Sequence, residues 1–235
     1  MNVQVYQIDC KVYLLRDVSL EWILFEISSF IDLGLGKDEQ MLAFHNKRGY
    51  KQYVHSGFRE IERDKSIYKE GGIYSFSIRT TNKKLRDYFL KTLRDTGSPT
   101  MKGLVTTVKL IPKIYIEKLY SLTPAIIKLD QGYWKGKIDF AVYEERLKAN
   151  AMKKAKIVLG EDFDEDFVLY NRIAMLNHTP TKNSFKERIT LLGDKLELDI
   201  ADNEMAQQVA YILLGTGIHE MNARGYGFVN YKSGL

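Results

Sequence analysis

Two segments of this chain hold residues whose types and spacing could do chemistry. The first runs from Phe44 to Ser56 and gathers His45, Lys47, Arg48, Tyr50, Lys51, Tyr53 and His55. Cations interleaved with aromatic rings suit a nucleic-acid backbone and stacked bases. An imidazole among them can exchange a proton near neutral pH. The same composition also describes a solvated basic loop, with His45 at a helix C-terminus where a cation is favoured. The second segment runs from Gly215 to Phe228 and places Gly215, Gly217, Gly225 and Gly227 within thirteen residues, along with His219, Asn222 and Arg224. Glycine lets a backbone approach a ligand closely and turn bare amides toward phosphates. It equally serves a long loop that needs sharp turns. No dinucleotide fingerprint is present, because that motif follows a strand and opens a helix.

The elements that must position these segments follow from periodicity. Val3 to Leu14 reads as a strand. Leu20, Ile23, Leu24, Ile27 and Ile31 repeat at helical spacing, with Ser19 at the N-cap position. A short helix over Asp38 to Phe44 follows, then a strand over Tyr53 to Phe58. Tyr74, Phe76 and Ile78 alternate with polar residues after the Gly71-Gly72 turn, Leu85 to Leu93 form a second amphipathic helix, and Thr106 to Leu110 form a strand that stops at Pro112. This β-α-β-β-α-β order predicts a ferredoxin-like unit with helices on one sheet face. The second half repeats the plan loosely: strand Tyr120 to Leu129, helix Asp139 to Ile157, strands Phe167 to Ile173 and Phe185 to Ile200, a helix through Met205 to Leu213 capped by Asp202 or Asn203, and a last strand Gly225 to Lys232. The expected fold class is α+β, two tandem ferredoxin-like domains over residues 1–118 and 119–235, the second irregular.

Bulk properties narrow the function classes. Cys10 is the only cysteine, so neither an internal disulfide nor a thiolate zinc site can form. No apolar run nears the ~18 residues that a bilayer crossing needs, and no signal-peptide pattern opens the chain. A cytoplasmic protein without a membrane partner is expected. Residues 1–118 carry 20 Lys/Arg against 14 Asp/Glu, a net +6, whereas residues 119–235 carry 15 against 16, a net −1. The excess positive charge points to a polyanion bound by the first half. The acidic run Glu161 to Asp166 lacks the glycine pattern of a calcium loop and reads as a solvated turn, so no metal and no cofactor is expected.

Both segments, carried on a doubled β-α-β-β-α-β chain, resemble the CRISPR-associated repeat-RNA endoribonucleases of the superfamily of repeat-associated RNA-binding proteins. A glycine-rich loop with a Gly-aromatic-Gly ending precedes the last strand in that family, as Gly225-Tyr226-Gly227 does here. A catalytic His ends the short helix after the first helix, with a Lys six positions on, and His45 and Lys51 match that spacing. The Ile111-Pro112 break and Leu122-Thr123-Pro124 are similar to the family's domain junction. One feature departs: many members carry a catalytic Tyr in the first helix, and Ser19 to Phe44 contains none, only Ser28 and Ser29.

The resemblance implies metal-independent cleavage of CRISPR precursor RNA within the repeat. The RNA's own 2′-hydroxyl attacks, leaving a 2′,3′-cyclic phosphate and a 5′-hydroxyl. His45 would move a proton, Lys51 would stabilise the crowded phosphate, and Tyr50 or Tyr53 would substitute for the missing base. Lys47, Arg48, His55, Gly217, His219, Asn222, Arg224, Gly225 and Gly227 are the candidate RNA-binding residues. The implied partners are repeat RNA and a CRISPR interference complex, with the protein a monomer or homodimer. Two alternatives stay open at this point: a non-catalytic RNA-binding subunit of such a complex, and a ferredoxin-like domain serving a small ligand or protein.

Overall fold

The computed structural model describes residues 3–60, 66–186 and 189–234. In the first half β1 (Val5–Leu14) leads through the short β2 (Val18–Ser19) into α1 (Ile23–Leu35) and α2 (Glu39–Asn46). Then come β3 (Tyr53–His55), β4 (Ile67–Tyr68), β5 (Ile73–Thr80), α3 (Lys83–Thr92) and β6 (Met101–Ile111). The second half comprises β7 (Lys118–Ser121), α4 (Phe140–Leu159), β8 (Tyr170–Met175), β9 (Thr181–Ser184), β10 (Thr190–Gly193), β11 (Leu196–Ile200), α5 (Glu204–Thr216) and β12 (Val229–Lys232).

Each half contains a four-stranded antiparallel sheet, in the orders β3-β5-β1-β6 and β12-β7-β11-β8. Numbered within their own halves, both orders read 2-3-1-4 in one direction or the other, which is the ferredoxin-like arrangement twice over. Alternation explains the layers. Ile8, Cys10 and Val12 of β1 pair across from Ile78, Phe76 and Tyr74 of β5, and these six bury one face against α1 and α3. Gln7, Asp9 and Lys11 fall on the opposite face. Three helix starts are fixed by side chains: Asp38 accepts from the Met41 amide, Asn82 from Leu85 and Asn203 from Ala206, at 3.0, 3.2 and 2.8 Å.

The halves interlock. Val5 and Ile111 belong to the apolar core of the second half, while Tyr226 and Ile126 belong to the core of the first. The Tyr211 hydroxyl accepts from the Val5 amide at 3.1 Å and donates to the Ile111 carbonyl at 2.7 Å. Arg79, buried between the two sheets, donates to the Val229 carbonyl at 2.6 Å and lies over the Phe228 ring.

Several expected elements differ. Ser19 caps no helix through its side chain and instead pairs with Ile67 in the β2–β4 ladder. The strand expected over Tyr120 to Leu129 stops at Ser121, because Pro124 has no amide to continue a ladder. The chain bends at Leu122 and Thr123, and beyond Pro124 the residues Ala125 and Ile126 bridge to Asp194 and Glu220 instead. The expected strand Phe185 to Ile200 is two strands, β10 and β11, separated by Asp194; Glu187 and Arg188 within it lie outside the described residues. β9 pairs with β10 as an added hairpin that the sequence pattern did not suggest.

Candidate functional site

The end of α1, the end of α2 and the loop into β3 form one wall of a cleft of about 1020 Å³. The glycine-rich loop after α5, the face of α4, the segment Ile126 to Asp130 and residues of the β9–β10 hairpin such as Phe185 and Leu191 line the other sides. Asp38 starts α2 and the chain leaves helical geometry at Lys47, so His45 sits in the last turn, where a cation meets exposed carbonyls. Lys51 folds back over that end. Its Nζ donates to the Phe44 carbonyl at 2.7 Å and to the Lys47 carbonyl, and lies over the Phe44 ring. Partial burial, then the nearby charge of Arg224, lower the Lys51 pKa, and Asp32 opposes them.

Asp32 joins these groups. One carboxylate oxygen stands 3.3 Å from Nδ1 of His45, and the other accepts from Nη1 of Arg224. The three side chains are 25%, 24% and 32% exposed, open enough to meet a ligand and enclosed enough to hold one geometry. An imidazole, a lysine and an arginine therefore converge on one cleft, around one carboxylate. Such a group can bind an anion, transfer a proton to or from it, and stabilise charge that grows on it. Lys47 and Arg48 are exposed on the loop beside it, and Lys128 and Lys153 line the cleft further along.

The other expected site residues lie elsewhere or face inward. Tyr50 and Tyr53 contribute to the wall, but burial raises both phenol pKa values far above neutrality, which removes them as bases in this geometry. Tyr53 packs edge-on against Phe89 within the core. His55 is fully buried; its Nδ1 is 3.0 Å from the Ser56 carbonyl and its Nε2 is 3.0 Å from the Ser28 hydroxyl. Burial lowers its pKa to about 4, so the ring is neutral. It is a pedestal for the glycine-rich loop. Gly225 has φ of +85°, and a Cβ there would lie 2.5 Å from the His55 ring.

Within that loop the expectation of phosphate-facing amides is also corrected. The amides of Gly217, Gly225 and Gly227 donate to the carbonyls of Leu213, Asn222 and Pro124. Asn222 is buried and donates to Ile218 and Tyr226 carbonyls, both at 2.9 Å. His219 is buried edge-on against Tyr143, and burial pushes its pKa down to about 3. Beneath the loop Lys154 of α4 donates to the Gly217 and His219 carbonyls and to Asn222 Oδ1, at 2.8, 2.7 and 2.7 Å. Burial lowers the Lys154 pKa well below that of an ordinary lysine. Of the loop residues singled out in the sequence, Arg224 is the one whose charged group reaches the cleft.

Sequence reasoning missed Asp32 and Lys154. Asp32 had a signal: a carboxylate in the last turn of a helix opposes the helix dipole, and such local conflicts gather at functional sites. Lys154 falls three residues after Ala151 on the buried stripe begun by Tyr143 and Leu147, a position where an unpaired lysine is costly.

Two ferredoxin-like units in tandem, joined through a shared interface with a cleft at their junction, define the class of fold. Solved structures place this chain beside particular members of it. One described as the CRISPR-associated protein Cas6 aligns over 97% of this chain and 100% of its own, with a TM-score of 0.70 and 17% identity. An RAMP protein described as binding different RNA substrates gives 0.71 and 17%, over 97% and 100% of the two chains. The product of a Cas6-related gene from Pyrococcus furiosus gives 0.65 and 20%, over 97% and 98%. At these identities the likeness is one of fold. No family model matches the sequence, and no curated protein does either.

Proposed function

We propose that this chain is a Cas6-like endoribonuclease that cuts CRISPR precursor RNA within the repeat, without a metal, by attack of the RNA's own 2′-hydroxyl. The observation that carries this reading is the meeting of His45, Lys51 and Arg224 in one cleft. The reaction needs a proton taken from the 2′-oxygen, a proton given to the 5′-oxygen, and a fixed cation beside a phosphate that gains negative charge. His45 serves one proton transfer. Lys51 and Arg224 supply charge, with Arg224 able to grip a phosphate through two N–H groups. Lys47 and Arg48 hold the strand at the rim. The relatives' fold, including an RAMP protein described as binding different RNA substrates, agrees with RNA as the partner.

One observation favours a second reading, a non-catalytic RNA-binding subunit of an interference complex. The phenols that would replace the missing base are buried. Incubation of repeat RNA with the protein in EDTA separates the two. The nuclease gives a 2′,3′-cyclic phosphate and a 5′-hydroxyl, and a single deoxyribose 5′ of the scissile bond abolishes the cut. Tight binding with no cleavage of the all-ribose RNA supports the subunit instead.

A further inference from the structure

We infer that Asp32 is the positioning residue that aims His45, fixing the tautomer in which Nδ1 carries the hydrogen and Nε2 faces the RNA. This rests on the nuclease reading above. The argument begins from placement. Asp32 lies in the last turn of α1, where the helix dipole disfavours a carboxylate, and its helix neighbours Ile31 and Leu35 are core residues. Something other than helix stability therefore accounts for it. Its Oδ1 stands 3.3 Å from His45 Nδ1, and its Oδ2 accepts from Arg224 Nη1.

A carboxylate beside one ring nitrogen draws the hydrogen to that nitrogen and leaves the other free for exchange. Contacts of this kind shorten when the substrate is seated. In the reaction the 2′-oxygen forms a bond to phosphorus, the bond from phosphorus to the 5′-oxygen breaks, one proton leaves the 2′-hydroxyl and one joins the 5′-oxygen. Nε2 of His45 handles one of those two protons; Asp32 handles neither. The second oxygen adds a further task. By holding Arg224, it brings the glycine-rich loop of the second half and the histidine of the first half to a common point, so the cation and the proton carrier keep a fixed separation. The groups facing Asp32 are the His45 imidazole from α2, the Lys51 ammonium from the loop after it and the Arg224 guanidinium from the far wall.

The test compares wild type, Asp32→Asn, His45→Ala and the double variant by single-turnover cleavage of repeat RNA, with RNA dissociation constants and melting temperatures for each. Asparagine keeps the shape and removes the charge. Its expected effect is a loss of about 10²-fold in cleavage rate at saturating protein, with melting unchanged. In the His45→Ala background the same substitution should cost far less, leaving only the share that passes through Arg224, because a residue that aims another loses that effect once the other is gone. Asp32→Glu, which keeps a carboxylate, should recover part of the rate. The ¹⁵N shifts of the His45 ring supply a readout free of activity: hydrogen on Nδ1 in wild type, and a shift toward the other tautomer in Asp32→Asn. Wild-type cleavage by Asp32→Asn, an equal loss in both backgrounds, or an unchanged tautomer overturns the inference. If wild type cuts no RNA, the nuclease reading fails by itself, and the ring shifts still decide whether Asp32 controls the imidazole.

Discussion

The two walls of the cleft look alike in sequence and behave differently in structure. Both are loops that combine histidine, glycine and a cationic side chain. The wall after α2 turns its polar tip outward: His45 and Lys51 line the cleft, and Lys47 and Arg48 stand in solvent. The glycine-rich wall turns inward. Its glycine amides, its asparagine and its histidine are committed to the protein, and Lys154 gathers its carbonyls from below. The difference teaches that glycine here serves close packing. Gly225 lets the loop rest on a histidine ring, and Gly227 brings it against the Ile218 carbonyl. One wall offers its side chains to the cleft, and the other holds a single arginine in place.

That contrast can be broken by substitution. The largest effect is expected on the wall after α2. His45→Ala should lower cleavage by ~10²–10⁴-fold while RNA still binds, measured by single-turnover assay and filter binding; unchanged cleavage rejects the assignment. On the inward wall the expected effects fall on stability. His55 and His219 have pKa values lowered from 6.5 to about 4 and about 3. Below pH 6.5 the unfolded chain therefore binds protons that the folded chain refuses. Stability should be full above pH 6.5 and fall as the pH drops toward 4, at up to ~1.4 kcal/mol per pH unit for each ring. Urea titrations at pH 7 and 4.5 would read this. His219→Phe should flatten the acid limb with little change at pH 7, since His219 Nε2 has no hydrogen-bond partner among the described residues.

Gly227→Ala comes next. A Cβ there meets the Ile218 backbone at a φ of +68°, so a loss of roughly 3 kcal/mol is expected in chemical denaturation, with the intrinsic rate preserved in the folded fraction. The smallest effect belongs to the rim. Lys47→Gln should weaken binding to all RNAs about equally and reduce the slope of log K against log salt by about one unit. A larger, sequence-dependent loss would make Lys47 a base reader and sharpen the division between the walls.

The order of elements was legible because periodicity is local. The alternation of Tyr74, Phe76 and Ile78 and the spacing of Leu85 and Phe89 depend on nothing beyond their own strand or helix. His45 and Lys51 were legible through the resemblance. The inward turn of the glycine-rich loop was not, since it depends on Lys154, more than sixty residues earlier in the chain. The β9–β10 hairpin escaped notice because Thr181 to Ser184 is polar and carries no alternation of its own.

The exchange of core residues between the halves has a mechanical consequence. With Tyr226 seated among the side chains of the first half and Val5 among those of the second, the lobes cannot swing apart without stripping an aromatic ring and a valine from their sockets. Rigid-body gaping of that kind would forfeit roughly 3–5 kcal/mol of apolar contact. The gap between the walls is therefore preset at folding.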